Sequence, residues 1–482
     1  MQRFPLYIDG EHVEARAGEW FETAYPYTGE TWAEVARARV ADVDRAVGAA
    51  HRAFTEGLWP KLRAAERGAL LLRLADIIAA HGEDLALVEM RDNGKTIREV
   101  REQMKTLPPM YAYYGGLADK VQGAVIPADQ DAFLNYTTYE PLGVIAAITP
   151  WNSPLRLLSL KLAPALAAGN TVVVKPSEFT SCSTLKLMDY LEEAGFPPGV
   201  VNVVTGFGLE AGQPLAAHPL VRKVSFTGGV EGGINAYRTA ADGIKSVVLE
   251  LGGKSPNIVF PDADLDKAAE AVAAGIFGST GQTCVAGSRL LLHRDIHDDF
   301  VARVVAIAKA KKLGDPMDET TEVAPVATEP QFRKILDYIA VAAADGATLV
   351  CGGKRAEGDG LEKGYFIEPT IFTGVTNNMR IAQEEVFGPV LAVIRFDGED
   401  DAIRIANDSR FGLASGVWTS DVERAHRFAR RLQAGTVWIN TYRRNAIQVP
   451  VGGYKNSGLG RESGSEAIKE YLQTKSVWVS LG

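Results

Sequence analysis

The sequence predicts an α/β fold of two domains with a small β arm, on three observations. Short β-branched runs alternate with longer Ala/Leu-rich segments through residues 143–253, a second alternating series starts near Pro256, and two strand-like pieces, 124–141 and 475–482, have no helical partner nearby. At 482 residues, 46% of them hydrophobic, the chain exceeds what one core holds.

The first series runs GVIAAIT (143–149), NTVVVKP (170–176), VVNVVTG (200–206), RKVSFTG (222–228) and KSVVLELGG (245–253), with helices expected over 155–168, 182–195 and 231–242. Such alternation predicts βαβ crossovers, a parallel sheet covered on both faces, and a nucleotide-binding domain. The second series sets the helical DADLDKAAEAVAAGIF (262–277) before the strand SRLLLH, a helix over 296–312, and the strands ATLVCGG, VLAVIRF and SGVWTS. The strand-like pieces predict a paired arm for subunit contact. With no long Gly/Ser linker the domains should touch, and the cleft between them is the expected place for chemistry.

Bulk properties exclude several classes. A net charge of −9 leaves no large basic surface for nucleic acid. The start, MQRFPLYIDGEH, lacks an apolar run behind basic residues, and no stretch approaches the roughly 20 apolar residues of a membrane span, so a cytoplasmic protein is expected. Cys182, Cys284 and Cys351 are too few for a disulfide framework, and no CxxC or carboxylate set points to a metal. GxxxxGK[ST], GxSxG and HExxH are all missing from the chain, against kinase, serine-hydrolase and metallohydrolase readings.

Several residues stand out against this background. Cys284, in the polar, Gly-flanked GQTC turn between a helix and a strand, would be accessible, and its thiol becomes a nucleophile if a helix end, a cofactor charge or a base favours the thiolate; an inert buried cysteine is the alternative, which suits Cys182 and Cys351 better. Glu250 ends an apolar strand that would normally reject a carboxylate, as a general base with raised pKa or as half of a strand-end ion pair. The Asn152 amide, between a strand and a helix, could cap that helix or donate to an oxyanion. Gly228 and Gly233 could free backbone N–H groups for a phosphate at a helix start. Lys175 and Glu178 end a strand at the sheet edge where nucleotides bind, and could hold ribose hydroxyls or stand as solvated charges.

Taken together, ELGGKSP (250–256), GQTCVAGSR (281–289), EEVFGPV (384–390) and GGYKNSGLGRE (452–462) resemble the aldehyde dehydrogenase superfamily across nearly the whole chain. The resemblance implies a Rossmann-like NAD(P)-binding domain (1–123 and 142–252), an α/β catalytic domain (253–440) and a β oligomerisation arm (124–141 and 463–482). It makes Cys284 the nucleophile, Glu250 the base, and the Asn152 amide with the Cys284 N–H the oxyanion hole. It places adenosine ribose against Lys175 and Glu178, pyrophosphate near Gly228 and Gly233, and the nicotinamide end against Glu385 and Phe387. Further cofactor contacts fall to Pro150, Trp151, Ser177, Phe226, Thr227, Leu251, Gly252 and the turn at 207, where Phe207 lies between two glycines.

The implied reaction is thiolate attack on an aldehyde, hydride loss to nicotinamide, and hydrolysis of the thioester by water that Glu250 activates. Acylating relatives, which pass the thioester to coenzyme A, typically lack this base; a non-catalytic member of the fold would not demand all three groups. Glu178 would repel a 2′-phosphate and favours NAD, with NADP also possible. The implied aldehyde tunnel is lined by Leu157, Leu160, Thr283, Val285 and Val451, with Ser153 where an aromatic is frequent and Asn445 and Val451 in place of aromatic anchors. Arg443 and Arg444, with Arg156, could attract a carboxylate on the substrate. A homodimer or homotetramer is implied.

Overall fold

The structure is a computed structural model and describes residues 1–358 and 360–482. Its largest sheet has eight strands, in the order Gly458–Leu459, Ser246–Glu250, Val221–Thr227, Val144–Ile148, Thr171–Lys175, Val201–Val203, Leu6–Ile8, Glu11–Val13. The five strands from Ser246–Glu250 to Val201–Val203 are parallel. Alternation explains why they read as continuous apolar runs. Ile145, Ala147, Val172 and Val174 point into one core while Val144, Ala146 and Val173 point into another, so both faces are covered by helices.

The crossover helices form where expected, at Pro154–Ala167, Cys182–Glu193 and Val230–Ala241. Pro154 sits at the first turn of its helix, where the missing N–H breaks no bond. The helices that cover the sheet from the N-terminal side, Val40–Thr55 and Ala64–Leu117 in several pieces, and the small sheet of Gln2–Phe4, Trp20–Tyr25 and Glu30–Ala36, were not anticipated.

The second domain holds a seven-stranded sheet centred on Pro256–Val259 and Arg289–His293, parallel except for Thr348–Cys351 at one edge. Leu291 and Ile258 face one core; Leu290, Leu292 and Val259 face the other. Phe133–Pro141 pairs antiparallel with Leu472–Ser480 over its whole length, and Val125–Ile126 adds a short third strand. Of the segment 463–482, only the strand belongs to this arm. The turn Ser465–Tyr471 buries Ala467, Ile468 and Tyr471 in the first domain's core. Among the described residues no helix is long and apolar enough to cross a membrane.

Candidate active site

In the first sheet, Val144–Ile148 lies between Val221–Thr227 and Thr171–Lys175, so the connections leaving its carboxyl end and that of Val221–Thr227 diverge. A crevice opens at such a switch point. Here it is a cleft of about 950 Å³, walled on one side by the strand ends and on the other by Cys284, Gln331, Glu385 and Phe387 of the second domain.

Asn152, Glu250 and Cys284 all line it. Asn152 is buried, and its amide donates to the Gln282 carbonyl at 2.9 Å. It caps nothing: Ser153 is the N-cap of Pro154–Ala167, without a side-chain bond. One amide hydrogen therefore fixes Asn152 to the cysteine loop and leaves the other to point into the cleft.

That loop is built under strain. Ser279 and Thr280 both adopt left-handed φ values of 54°, and Gly281 follows at 71° with no room for a Cβ, which would lie 2.0 Å from the Gly388 carbonyl oxygen. Buried bonds hold the turn in place: Ser279 N–H to Glu99 at 2.7 Å, Thr280 Oγ1 to the Ala324 carbonyl at 2.8 Å, and Ala327 N–H to Gln282 Oε1 at 2.9 Å. Cys284 emerges partly exposed on the cleft wall, and among the described residues its N–H donates to no backbone carbonyl. Burial and the charges of Glu385 and Glu250 push its thiol up to about 12, against a smaller opposing pull from Arg156. The protein by itself thus holds a thiol, and something cationic must arrive to favour the thiolate.

Glu250 ends its strand 8% exposed, with Oε1 lacking any hydrogen-bond partner. Among the described residues no ion pair satisfies it. Burial first, and then the charge of Glu462, push it well above the usual carboxylate range, while Lys161 and Arg461 pull the other way. Two glycines bring the second domain close behind it: a Cβ on Gly253 would stand 2.8 Å from the Cys284 carbonyl oxygen, and one on Gly252 2.2 Å from Glu385 Oε2.

The rest of the cleft suits a dinucleotide. Buried Lys175 pairs with Glu178 at 3.2 Å at one end. In the middle, the helix Val230–Ala241 starts at Gly229 without a side-chain cap, leaving N–H groups for a phosphate. Buried Thr149 Oγ1 and Thr227 Oγ1 beside it have no partner. Glu385 accepts from Gly253 N–H at 2.8 Å, and Phe387, at φ 59°, meets Trp151 edge-on at 5.3 Å. Unfilled donors and acceptors along a groove closed at one end by two aromatic rings are what a long polar ligand with a flat terminal ring requires.

The model of the aldehyde dehydrogenase family matches residues 12–477. The chain belongs to that family. An aldehyde dehydrogenase of Enchytraeus buchholzi is 46% identical over 98% of this chain and 95% of its own. Among solved structures, the betaine aldehyde dehydrogenase of Staphylococcus aureus in complex with NAD+ superposes with a TM-score of 0.98 at 42% identity, covering 99% of this chain and 95% of that one. The NAD+ complex of an aldehyde dehydrogenase from Bacillus cereus does so with 0.97 at 44% identity, covering 100% and 97%.

Most residues that the family resemblance assigned to the cofactor line the cleft: Pro150, Trp151, Lys175, Ser177 and Glu178 on the sheet side, Phe207, Phe226, Thr227 and Gly228 above it, and Leu251, Gly252, Glu385 and Phe387 toward the cysteine. Gly233 does not. Its N–H bonds to the Gly229 carbonyl at 2.9 Å, and a Cβ there would meet Leu251 at 2.4 Å, so it serves helix packing; Gly229 and Gly232 face the cleft instead.

Of the aldehyde-side residues, Leu157 lines the cleft, whereas Leu160, Thr283, Val285, Val451, Arg443 and Arg444 lie outside its walls. Val285 is fixed through its carbonyl to the Tyr442 hydroxyl at 3.1 Å, and Val451 bridges to Glu462. Arg443 folds back onto the Ala274 and Gly278 carbonyls, and Arg444 is exposed.

One feature the sequence concealed is the buried pair Lys161–Glu462, 2.5 Å apart, beside Glu250. Its partners lie 301 residues apart, so no local pattern joins them.

Proposed function

We propose that this aldehyde dehydrogenase oxidises aldehydes to carboxylic acids with NAD+, through a thioester on Cys284 that water hydrolyses. The observation that carries the reading is that Cys284, Asn152, whose amide is tied to the cysteine loop, and Glu250, with an oxygen lacking a hydrogen-bond partner among the described residues, line one cleft.

NAD+ bound along the cleft supplies a hydride acceptor and a ring cation beside the thiol, and its ribose and phosphates would be held by Lys175, Glu178 and the N-terminus of Val230–Ala241. The chain's own groups do the rest. Cys284 sulfur adds to the aldehyde carbon, and the oxygen that becomes negative accepts from Asn152 Nδ2 and the Cys284 N–H. Loss of hydride leaves the thioester. Glu250 then takes a proton from water as the water adds to the acyl carbon, the carbon–sulfur bond breaks, and the acid departs.

The direct experiment follows NADH absorbance with a panel of aldehydes and no coenzyme A. Repeated turnover is expected, and Asn152→Ala should keep the reaction at a kcat lower by about 10²–10³. Turnover only with coenzyme A would overturn the hydrolytic step. Because the Cys284 thiol and Glu250 are both held above their ordinary values and both act deprotonated, kcat/KM should rise with pH through Cys284, and kcat should rise with pH through Glu250 where hydrolysis limits turnover.

Glu178, paired with Lys175, sets the cofactor preference through like-charge repulsion of a 2′-phosphate. Glu178→Gln should shift the NAD+/NADP+ ratio of kcat/KM toward NADP+ by roughly tenfold, about 1.4 kcal/mol of relieved repulsion. An unchanged ratio would remove Glu178 from that role. The free thiols Cys182, Cys284 and Cys351 suit the reducing cytoplasm. The arm, with Val125, Phe133, Trp478 and Val479 exposed, is the surface on which a homodimer or homotetramer would form.

A further inference from the structure

The helix Pro154–Ala167 has 14 residues, and all but Arg156 and Leu157 are buried. Leu157 lines the cleft beside Asn152 and Cys284. Arg156, one residue earlier, is a cation in the first turn of a helix, where the backbone dipole already carries positive charge and an acid is normally favoured. Among the described residues no carboxylate lies within 4.0 Å of its guanidinium, and its hydrogen bond is a long one of 3.4 Å to Asn445 Oδ1.

The acid whose charge it feels, Glu462, is held by Lys161 at 2.5 Å. More positive charge gathers around it. Lys95, which burial holds down to about 8, donates to Ser153 Oγ at 2.7 Å, and the Arg443 side chain, its backbone at φ 57°, donates among the described residues only to the Ala274 and Gly278 carbonyls. The charges of Arg156 and Arg443 both reach Lys95, and that of Arg156 reaches the Cys284 sulfur. Glu99 and Glu89 answer the charge of Lys95, so Arg156 is a cation on the aldehyde side of the nucleophile for which the described residues hold no acid partner.

We propose that the aldehydes this enzyme prefers carry a carboxylate remote from the carbonyl, received by Arg156 with Arg443 behind it. A planar guanidinium with free N–H groups matches a carboxylate through two parallel bonds. Leu157 supplies an apolar surface for the carbons between the two ends. A quaternary-ammonium aldehyde would meet repulsion at the same place.

This inference rests on the aldehyde-oxidising reading above, and the experiment separates the two. Succinic and glutaric semialdehydes are compared with their methyl esters, which keep the shape and lose the charge, using the wild-type enzyme, Arg156→Leu and Arg156→Lys. Because Arg156 also favours the Cys284 thiolate, absolute rates with acid and ester should fall together in Arg156→Leu; the acid-to-ester ratio of kcat/KM is the readout.

The wild type should favour the acids by about tenfold or more, the size of a charge-assisted hydrogen bond. Arg156→Leu should bring the ratio close to one through a raised KM for the acids, and Arg156→Lys should restore part of it. A wild-type ratio of one or below, or a ratio that survives Arg156→Leu, while the esters still reduce NAD+, overturns the carboxylate preference and leaves aldehyde oxidation standing. No NAD+ reduction with any acid or ester overturns both.

Discussion

Cys284→Ala is expected to show no detectable aldehyde oxidation, while still binding NAD+. The sulfur is the atom to which carbon bonds, and no second nucleophile shares its position: Cys182 and Cys351 are buried in other cores, Cys182 in the first domain and Cys351 in the second. Retained NAD+ binding, followed by quenching of protein fluorescence, distinguishes loss of chemistry from loss of fold. The loop itself should persist, because Ser279, Thr280 and Gln282, not the thiol, make its anchoring bonds. Measurable steady-state NADH formation by Cys284→Ala would remove the covalent route.

Glu250→Gln should behave differently. The amide fills the same space and cannot take a proton from water, so acylation and hydride transfer proceed once and hydrolysis stalls. Rapid mixing should give a burst of about one NADH per active site, followed by a steady state lower by about 10²–10⁴. A lost burst would assign Glu250 to the first half-reaction instead. Neutralising a buried acid with an unpaired oxygen should not lower stability, since the desolvation that raises its pKa disfavours the charged form. Thermal unfolding of Glu250→Gln at neutral pH should match or exceed the wild type.

Much of this site is legible in the chain because it is local. A carboxylate ending VVLELGG is conspicuous against its apolar strand, and a cysteine in a Gly-flanked polar turn is conspicuous against two cysteines in apolar surroundings. The parallel strands were legible for a related reason: residues such as Val172, Val173 and Val174 are buried on both faces, which no amphipathic alternation could produce.

What depends on distant pairing was not legible. Asn152 looks equally like a cap until the Gln282 carbonyl, 130 residues away, is placed against it. Gly233 has the sequence setting of a phosphate-binding glycine, and only Leu251 packed against it reveals a steric duty. Arg156 enters the sequence reading only beside Arg443 and Arg444 as a residue that could attract a carboxylate, and what sets it apart, the lack of an acid beside it among the described residues, exists only in three dimensions. The state of the Cys284 thiol was also open, since burial and two acids raise it in the absence of a nearby cation strong enough to oppose them.

The most direct test of the account is the intact mass of Glu250→Gln quenched during the burst with an aldehyde and NAD+, followed by peptide mapping. A thioester predicts an enzyme heavier by the mass of the aldehyde less two hydrogens, on the peptide that holds Cys284 and discharged by hydroxylamine. NADH released in the burst with no such adduct, or with the adduct on another residue, would contradict it.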